Sequence, residues 1–282
     1  MNKSGSTKSF KKLDFTVLMA VYSKDDPLLF NKAIKSVLNN TILPNKLLII
    51  ADGFLSTGLD IVINSFKNNY LIQIVRLPDN VGLAKALNIG LEMITTEFTV
   101  RADADDINLP NRFELLVQAL NEGYDLVGSD VQEITKEGEY IAVRKLPSSQ
   151  ENISIFVKKR NPFNHMSVAF RTSAVIDVDG YPNIHLKEDY ALWANMISKN
   201  YKVCNIPKVL VHATTGVDMY KRRGGWVYAF SEIKMQKYLV KMKLKTKVEA
   251  LMDGILRSAI FIAPNSVREW VYLKYLRKNT TK

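Results

Sequence analysis

The 282-residue sequence has a single cysteine, Cys204. That excludes an intrachain disulfide and every cysteine-rich zinc or iron–sulfur site. Histidine is nearly as scarce, and His165, His185 and His212 are too scattered for the HExxH spacing that puts two imidazoles on one helix face. No apolar run approaches the roughly 18 residues of a membrane-spanning helix. The polar opening MNKSGSTKSFKK also lacks the apolar stretch of a signal peptide. The expectation is a soluble or membrane-peripheral cytoplasmic protein. Most of the chain lacks net charge as well. Residues 1–218 hold 24 basic and 24 acidic side chains, whereas residues 219–282 hold 15 Lys and Arg against 4 Asp and Glu, which is the whole excess of +11. A basic segment beside a neutral body points to an anionic partner surface, phospholipid or nucleic acid.

What is present is globular: 47% hydrophobic and 24% charged residues supply a sizeable core. Apolar runs of strand length recur at Phe15 to Val21, Leu47 to Ala51 and Leu71 to Val75. Each precedes a stretch of helical periodicity, at Leu28 to Leu38, Asp60 to Asn68 and Leu83 to Met93. This alternation predicts an α/β fold with a sheet covered on both faces, as in doubly wound nucleotide-binding proteins. A fourth strand, Phe98 to Arg101, runs into Asp103, Asp105 and Asp106, placing carboxylates beyond a strand's carboxyl end, where such folds bind ligands. Further on, the pattern predicts a helix over Leu109 to Leu120, short strands at Asp125 to Val127, Val131 to Ile134 and Tyr140 to Arg144, a buried strand at Met166 to Phe170 and a helix over Lys187 to Lys199. From Gly224 onward the reading is helical, broken near Thr246 and at Pro264-Asn265.

Four segments carry groups capable of chemistry. In RADADD, two carboxylates two residues apart can share a hard divalent cation with phosphate oxygens; alternatively Asp106 or Asn108 caps the helix that follows. In DNVGLAKALNIG, residues 79–90, Gly82 permits close backbone approach to a ligand and Lys85 reaches a phosphate from the first helical turn. The plainer alternative is a turn and cap at Asp79-Asn80 with Gly90 as a packing residue. In KEDYALW, Glu188 and Asp189 open a helix, either as a cap with a favourable dipole interaction or, in a cleft beside phosphate, as a source of a general base. MYKRRGG, residues 219–225, fits a mobile basic loop over a diphosphate or a solvated turn.

The order of these segments resembles the family 2 glycosyltransferases of the GT-A fold, in particular those of bacterial O-antigen, capsule and exopolysaccharide synthesis of the amylovoran kind. The resemblance runs through FTVLMAVY, ADG, LPDNVGLAKALNIG, RADADDINLPNRFE, GSD, HMSVAFR, DGYP and KEDYALW, from about Phe15 to Gly225. It implies a Rossmann-like mixed sheet flanked by helices over residues 13–223, after a disordered lead at 1–12 and before a basic, helical, membrane-associating region at 224–282. It further implies that Tyr22 and Asp52 border the nucleotide base and that Asn80 and Lys85 lie near base, ribose or phosphate. Asp103, Ala104 and Asp105 form the DxD motif, with Asp105 the direct ligand of Mn²⁺ or Mg²⁺ and Asp103 near the ribose. Asp189 is the catalytic base, Glu188 its supporting neighbour, and the Gly180-Tyr181 loop lines the sugar site. Arg222 and Arg223 face the departing diphosphate, and His212 is a candidate for the late metal histidine of many relatives.

The expected activity is therefore inverting, metal-dependent transfer from a UDP-sugar to a polyprenyl-diphosphate-linked glycan at the inner face of the cell membrane. Two rivals are a sugar-phosphate nucleotidyltransferase and a nucleic-acid-binding protein using the basic tail. The first lacks its glycine-rich basic signature after the first strand, where AVYSKDDP stands; the second leaves the order of motifs unexplained, so no nucleic-acid partner is expected. Within the tail, Val248, Leu251, Met252, Ile255, Leu256, Ala259 and Ile262 form an apolar stripe at helical spacing. Packing of that stripe on the catalytic domain is the simpler expectation, and a bilayer interface the other. In Ser266 to Lys278, aromatic residues alternate with cations, which suits a lipid headgroup region.

Overall fold

The first half of the chain builds its elements from local signals. β1 (Phe15–Tyr22), β2 (Lys46–Asp52), β3 (Ile72–Arg76) and β4 (Phe98–Asp103) alternate with α1 (Pro27–Leu38), α2 (Thr57–Ser65) and α3 (Leu83–Met93) in a computed structural model that describes residues 14–215, 224–264 and Arg268. Because successive strand residues point to opposite faces, Phe15, Val17, Met19 and Val21 of β1 pack with Phe30, Ile34 and Val37 of α1, while Leu18 packs with Leu87 and Leu91 of α3. Two buried layers result, one on each side of the sheet. Asp26 starts α1 by accepting from the N–H groups of Leu28 and Leu29, and Pro27 follows at the first helical position.

The remaining elements are β5 (Ile107–Asn108), α4 (Arg112–Asn121), β6 (Leu126–Ile134), β7 (Tyr140–Arg144), α5 (Gln150–Phe156), β8 (Ala169–Arg171), α6 (Thr172–Asp177), α7 (Glu188–Ser198) and β9 (Val203–Thr214). The described strands form one sheet in the order β3-β2-β1-β4-β8-β6-β9-β5, with β7 on β6. β1 to β4 run parallel; β8 is antiparallel to both β4 and β6 and makes the sheet mixed. The carboxyl ends of β1, β2 and β4 open together on one edge, and that edge carries Tyr22, Asp52 and Asp103.

Several boundaries differ from the sequence reading. The strands expected at 125–127 and 131–134 are one strand, because Gly128, Ser129 and Asp130 are buried and paired with β9 rather than turned outward. The strand expected over Met166 to Phe170 is a 3₁₀ turn at His165–Ser167 followed by the three residues of β8. Ser56 caps α2 and starts it three residues early, and α4 begins after Pro110, at Arg112.

The hairpin of α8 (Trp226–Lys241) and α9 (Lys247–Ile262) follows. Thr246 and Glu249 close a capping box at the start of α9. The α9 stripe does not dock on the catalytic domain: Val248, Leu251, Met252, Ile255 and Leu256 are all more than 60% exposed. The buried positions are instead Ala250, Gly254 and Ser258, small residues that let α8 come close and turn the large side chains outward. Among the described residues no helix is long and apolar enough to cross a membrane. The 1–12 lead, Arg222 and Arg223, and, Arg268 apart, the 266–282 segment lie outside the described residues.

Candidate active site

The ligand oxygens of Asp103, Asp105 and Asp106 lie within 4.8 Å of one another beyond β4. Behind them are two arginines that solvent scarcely reaches. Arg101 pairs with Asp103 Oδ1 at 2.5 Å, and Arg112 donates to the carbonyls of Arg101 at 2.6 Å and Met166 at 2.8 Å, fixing the turn from below. Burial lowers Arg112 to about 9. Asp106 accepts from Thr214 N–H at 2.8 Å through Oδ1, but its buried Oδ2 has no partner. Burial, then Asp105 and Asp103, hold its pKa well above the carboxylate range. Burial, followed by the charges of Asp103 and Asp25, raises Asp105 to about 7. Asp25, which accepts from Tyr22 N–H, is raised to about 6, chiefly by burial. An orphaned buried oxygen among carboxylates that resist ionising together is the donor set of a hard divalent cation. These residues fit one.

Neither alternative cap exists. The residue before α4 is Asn111, which makes no side-chain cap; Asn108 donates to Ser36 Oγ at 2.8 Å and accepts from Arg112. His212 sits on β9 opposite Ile107 and is not in the carboxylate group.

At the end of β2, Asp52 is buried and accepts from the N–H groups of Val81 at 2.7 Å and Gly82 at 3.0 Å. Asn80 donates to the Asp52 carbonyl at 3.2 Å instead of capping α3. Gly53 makes this contact possible: its φ is +82°, and an added Cβ would lie 2.7 Å from Asn80 N. Tyr22 and Lys85 are exposed at the same edge. Gly90 is indeed a packing residue, since a Cβ there would meet Leu18 at 2.5 Å.

The first turn of α7 presents Glu188 and Asp189. Asp189 has a donor on each oxygen, Asn161 Nδ2 at 2.6 Å and Tyr190 N–H at 2.7 Å. Burial, with Asp189 beside it, raises Glu188. One turn below Asp189, Trp193 is the floor on which Tyr181 and His165 pack edge-on or tilted. His165 Nε2 and the Tyr181 hydroxyl are 3.0 Å apart. Burial lowers His165 to about 4; Arg101 acts in the same direction, and Asp189 and Asp103 oppose it. The pair therefore lies in the field of both carboxylate groups. Asn88 of α3 clamps the Tyr181 backbone, accepting from its N–H at 2.8 Å and donating to its carbonyl at 3.0 Å.

A cation-ready carboxylate turn and a buried carboxylate that holds the β3–α3 turn thus stand at one sheet edge, and α7 opens on an acidic pair whose Asp189 is hydrogen-bonded on both oxygens. The family description "Glycosyl transferase family 2" matches residues 16–184, more than half of the chain. The chain belongs to this family. As a family 2 glycosyltransferase it is 37% identical over 267 residues to the UDP-Gal:alpha-D-GlcNAc-diphosphoundecaprenol beta-1,3-galactosyltransferase of Escherichia coli, covering 94% of this chain and 97% of that one. It is 33% identical to the amylovoran biosynthesis glycosyltransferase AmsE of Erwinia amylovora, covering 92% and 98%. The fold is that of S. aureus TarS 1–349 in complex with UDP-GlcNAc: TM-score 0.65, 16% identity, 94% of this chain and 77% of that one covered.

Membership settles the choice between glycosyl and nucleotidyl transfer. Sequence reasoning on this glycosyltransferase missed Asp25, Asn88, Arg112, Asn161 and His165 as parts of the site. The signals available were AVYSKDDP for Asp25 and HMSVAFR for His165; Asn88, Arg112 and Asn161 hold backbone or a neighbouring carboxylate, and no spacing marks them.

Proposed function

We propose that this glycosyltransferase moves a sugar, with inversion, from a UDP-sugar to a hydroxyl of a polyprenyl-diphosphate-linked glycan in bacterial surface polysaccharide synthesis. The observation that carries the reading is the Asp103, Asp105 and Asp106 turn beyond β4, with its orphaned buried oxygen. The Escherichia coli relative, named for a diphosphoundecaprenol-linked acceptor, supports the acceptor class.

In this reading Tyr22 and Asp52 border the base, with Asn80 and Lys85 near base, ribose or phosphate. Asp52 retains acceptor capacity, since a carboxylate offers about four lone-pair sites and two donors occupy it. Asp105, with Asp103 and Asp106, holds Mn²⁺ or Mg²⁺. When bound, that cation supplies charge neutralisation for the UDP leaving group. Asp189 takes the proton from the acceptor hydroxyl as it attacks the anomeric carbon from the face opposite UDP. Asn161 and Tyr190 N–H aim its oxygens, and Glu188 supports it. Single displacement of an α-linked donor gives a β-glycoside and needs no enzyme nucleophile. Residues 13–223 are the catalytic domain, and the basic region 224–282 holds the protein at the inner face of the membrane.

The test is a screen of UDP-Glc, UDP-Gal, UDP-GlcNAc, UDP-GalNAc and GDP- and dTDP-sugars against a GlcNAc-diphospho-lipid acceptor, with the product's anomeric configuration read by NMR. Transfer from one UDP-sugar giving a β-linkage is expected. Retention, or preference for a GDP-sugar, overturns the reading.

A further inference from the structure

The α8–α9 hairpin buries Met235 and Leu239 but also a polar network, and it leaves many of its large apolar side chains outside. Glu232, Gln236 and Lys245 are buried in it and joined in one network: Gln236 Nε2 donates to Glu232 Oε1 at 2.8 Å, Lys245 Nζ to Gln236 Oε1 at 2.8 Å and to Asp253 at 2.5 Å; Ser258 Oγ donates to the Ala229 carbonyl at 3.4 Å. Large apolar side chains point outward. Trp226, Phe230 and Ile233 of α8, with Leu251, Ile255 and Ile262 of α9, line an apolar groove of about 730 Å³ that is open to solvent. Exposed apolar patches of this kind mark interaction surfaces.

The charge around the face says which kind. Lys234, Lys237, Lys241, Lys243 and Lys247 are exposed on the same two helices and their connection. The hairpin's acids are all committed: Glu232 is buried, Asp253 pairs with Lys245, and Glu249 closes the capping box. An apolar face holding a tryptophan, flanked by lysines and, among the described residues of the hairpin, by no free carboxylate, complements an anionic lipid surface.

We propose that this face inserts into a monolayer of anionic phospholipid. The proposal deepens the reading of a lipid-borne acceptor, on which it rests, by naming the surface that meets the membrane. It also ties that surface to the chemistry. Glu232 of α8 accepts Lys187 Nζ at 3.0 Å and lies 3.6 Å from Arg257 of α9, and Lys187 immediately precedes Glu188 and Asp189. The Gly225 N–H, just before α8, donates to the Phe261 carbonyl at 2.7 Å. The hairpin and the acidic pair are one braced unit, so a hairpin seated in lipid fixes the height of Asp189 above it.

The test uses the full chain carrying Trp270→Phe, so that Trp226 is the exposed reporter and Trp193 stays buried. Vesicles of phosphatidylcholine and phosphatidylglycerol with brominated acyl chains should quench Trp226 and shift its emission to the blue; high salt should reverse both. Leu251→Glu with Ile255→Glu should weaken vesicle affinity about a hundredfold, from two apolar side chains each worth about 1.5 kcal/mol or more on burial. Both positions are 63–65% exposed in solution, so the fold should survive, as circular dichroism would verify. Three results overturn the proposal: no quenching in brominated vesicles; Trp226 shielded from iodide without lipid and freed by deleting residues 269–282, which makes the occupant the chain's own tail; or shielding that disappears on dilution as the mass halves, which makes it a second copy. Transfer to the lipid-linked acceptor is measured in the same samples. Quenching without transfer leaves the membrane face standing and removes the proposed acceptor, whereas transfer without quenching removes the membrane face alone.

Discussion

The carboxylates beyond β4 and the pair that opens α7 are both assigned to the proposed site, yet the fold treats them differently. Asp189 has a donor on each oxygen and is aimed. Asp106 keeps one oxygen bare in the interior, and Asp105 is held near 7 by burial and by its neighbours' charges. The first arrangement suits the proton acceptor proposed for Asp189; the second suits the proposed cation, whose positive charge would complete it. A satisfied carboxylate and an unsatisfied one, both Asp and both at the end of a secondary element, thus announce different chemistry.

The comparison breaks most sharply at Asp105. Asp105→Ala should abolish transfer while the protein stays folded, and EDTA should do the same to the wild type, reversibly on adding Mn²⁺. Full activity in EDTA, measured as release of UDP, would end the cation reading. The acidic pair should respond less absolutely. Asp189→Asn keeps the shape and the Asn161 contact side but removes the proton acceptor, so kcat should fall by about 10² to 10⁴ while UDP affinity barely changes. Glu188→Gln should cost less, and a reversed ranking in kcat would exchange the two roles.

The smallest effect should lie between the groups, at His165. Its pKa in the fold is about 4, below the usual 6.5, so the neutral ring is favoured. The stability this contributes is complete above about 6.5 and is lost as pH falls toward 4. Thermal melts at pH 7 and pH 5 should show the wild type losing up to about 2 kcal/mol more than His165→Gln. An identical acid response in both proteins would mean that the ring is not held neutral.

The parallel half of the fold was legible because its signals are local. Apolar runs and the periodicities of Leu28 to Leu38 and Leu83 to Met93 each fit in a short window. β9 was not legible. Its twelve residues contain Pro207 and Lys208, which break a strand pattern, yet both lie where the register on β6 skips between Ser129 and Asp130 and no ladder N–H is required of the proline. β8 has three residues, and only its partners β4 and β6 make it a strand. The site divides in the same way. Asp103, Asp105 and Asp189 stand in recognisable segments. Asn161 acts on Asp189 across 28 positions and Asn88 on Tyr181 across 93, distances that only folding brings together. The α9 stripe was legible as a stripe, but not its direction, because that depends on the small residues Ala250, Gly254 and Ser258 facing α8.

The clamp of Asn88 on Tyr181 bears on how such an enzyme could be re-engineered. Gly180 takes φ +66°, and a Cβ there would press on Asn88 Oδ1 at 2.5 Å. Both backbone groups of Tyr181 are held, and its hydroxyl meets His165. The loop proposed to line the sugar site therefore splits into a fixed half and a variable half. A library aimed at new donor or acceptor preference gains little from randomising Gly180 or Tyr181, where most members would not fold. Asn183 and His185, both exposed a few residues on, are where diversity costs the scaffold least.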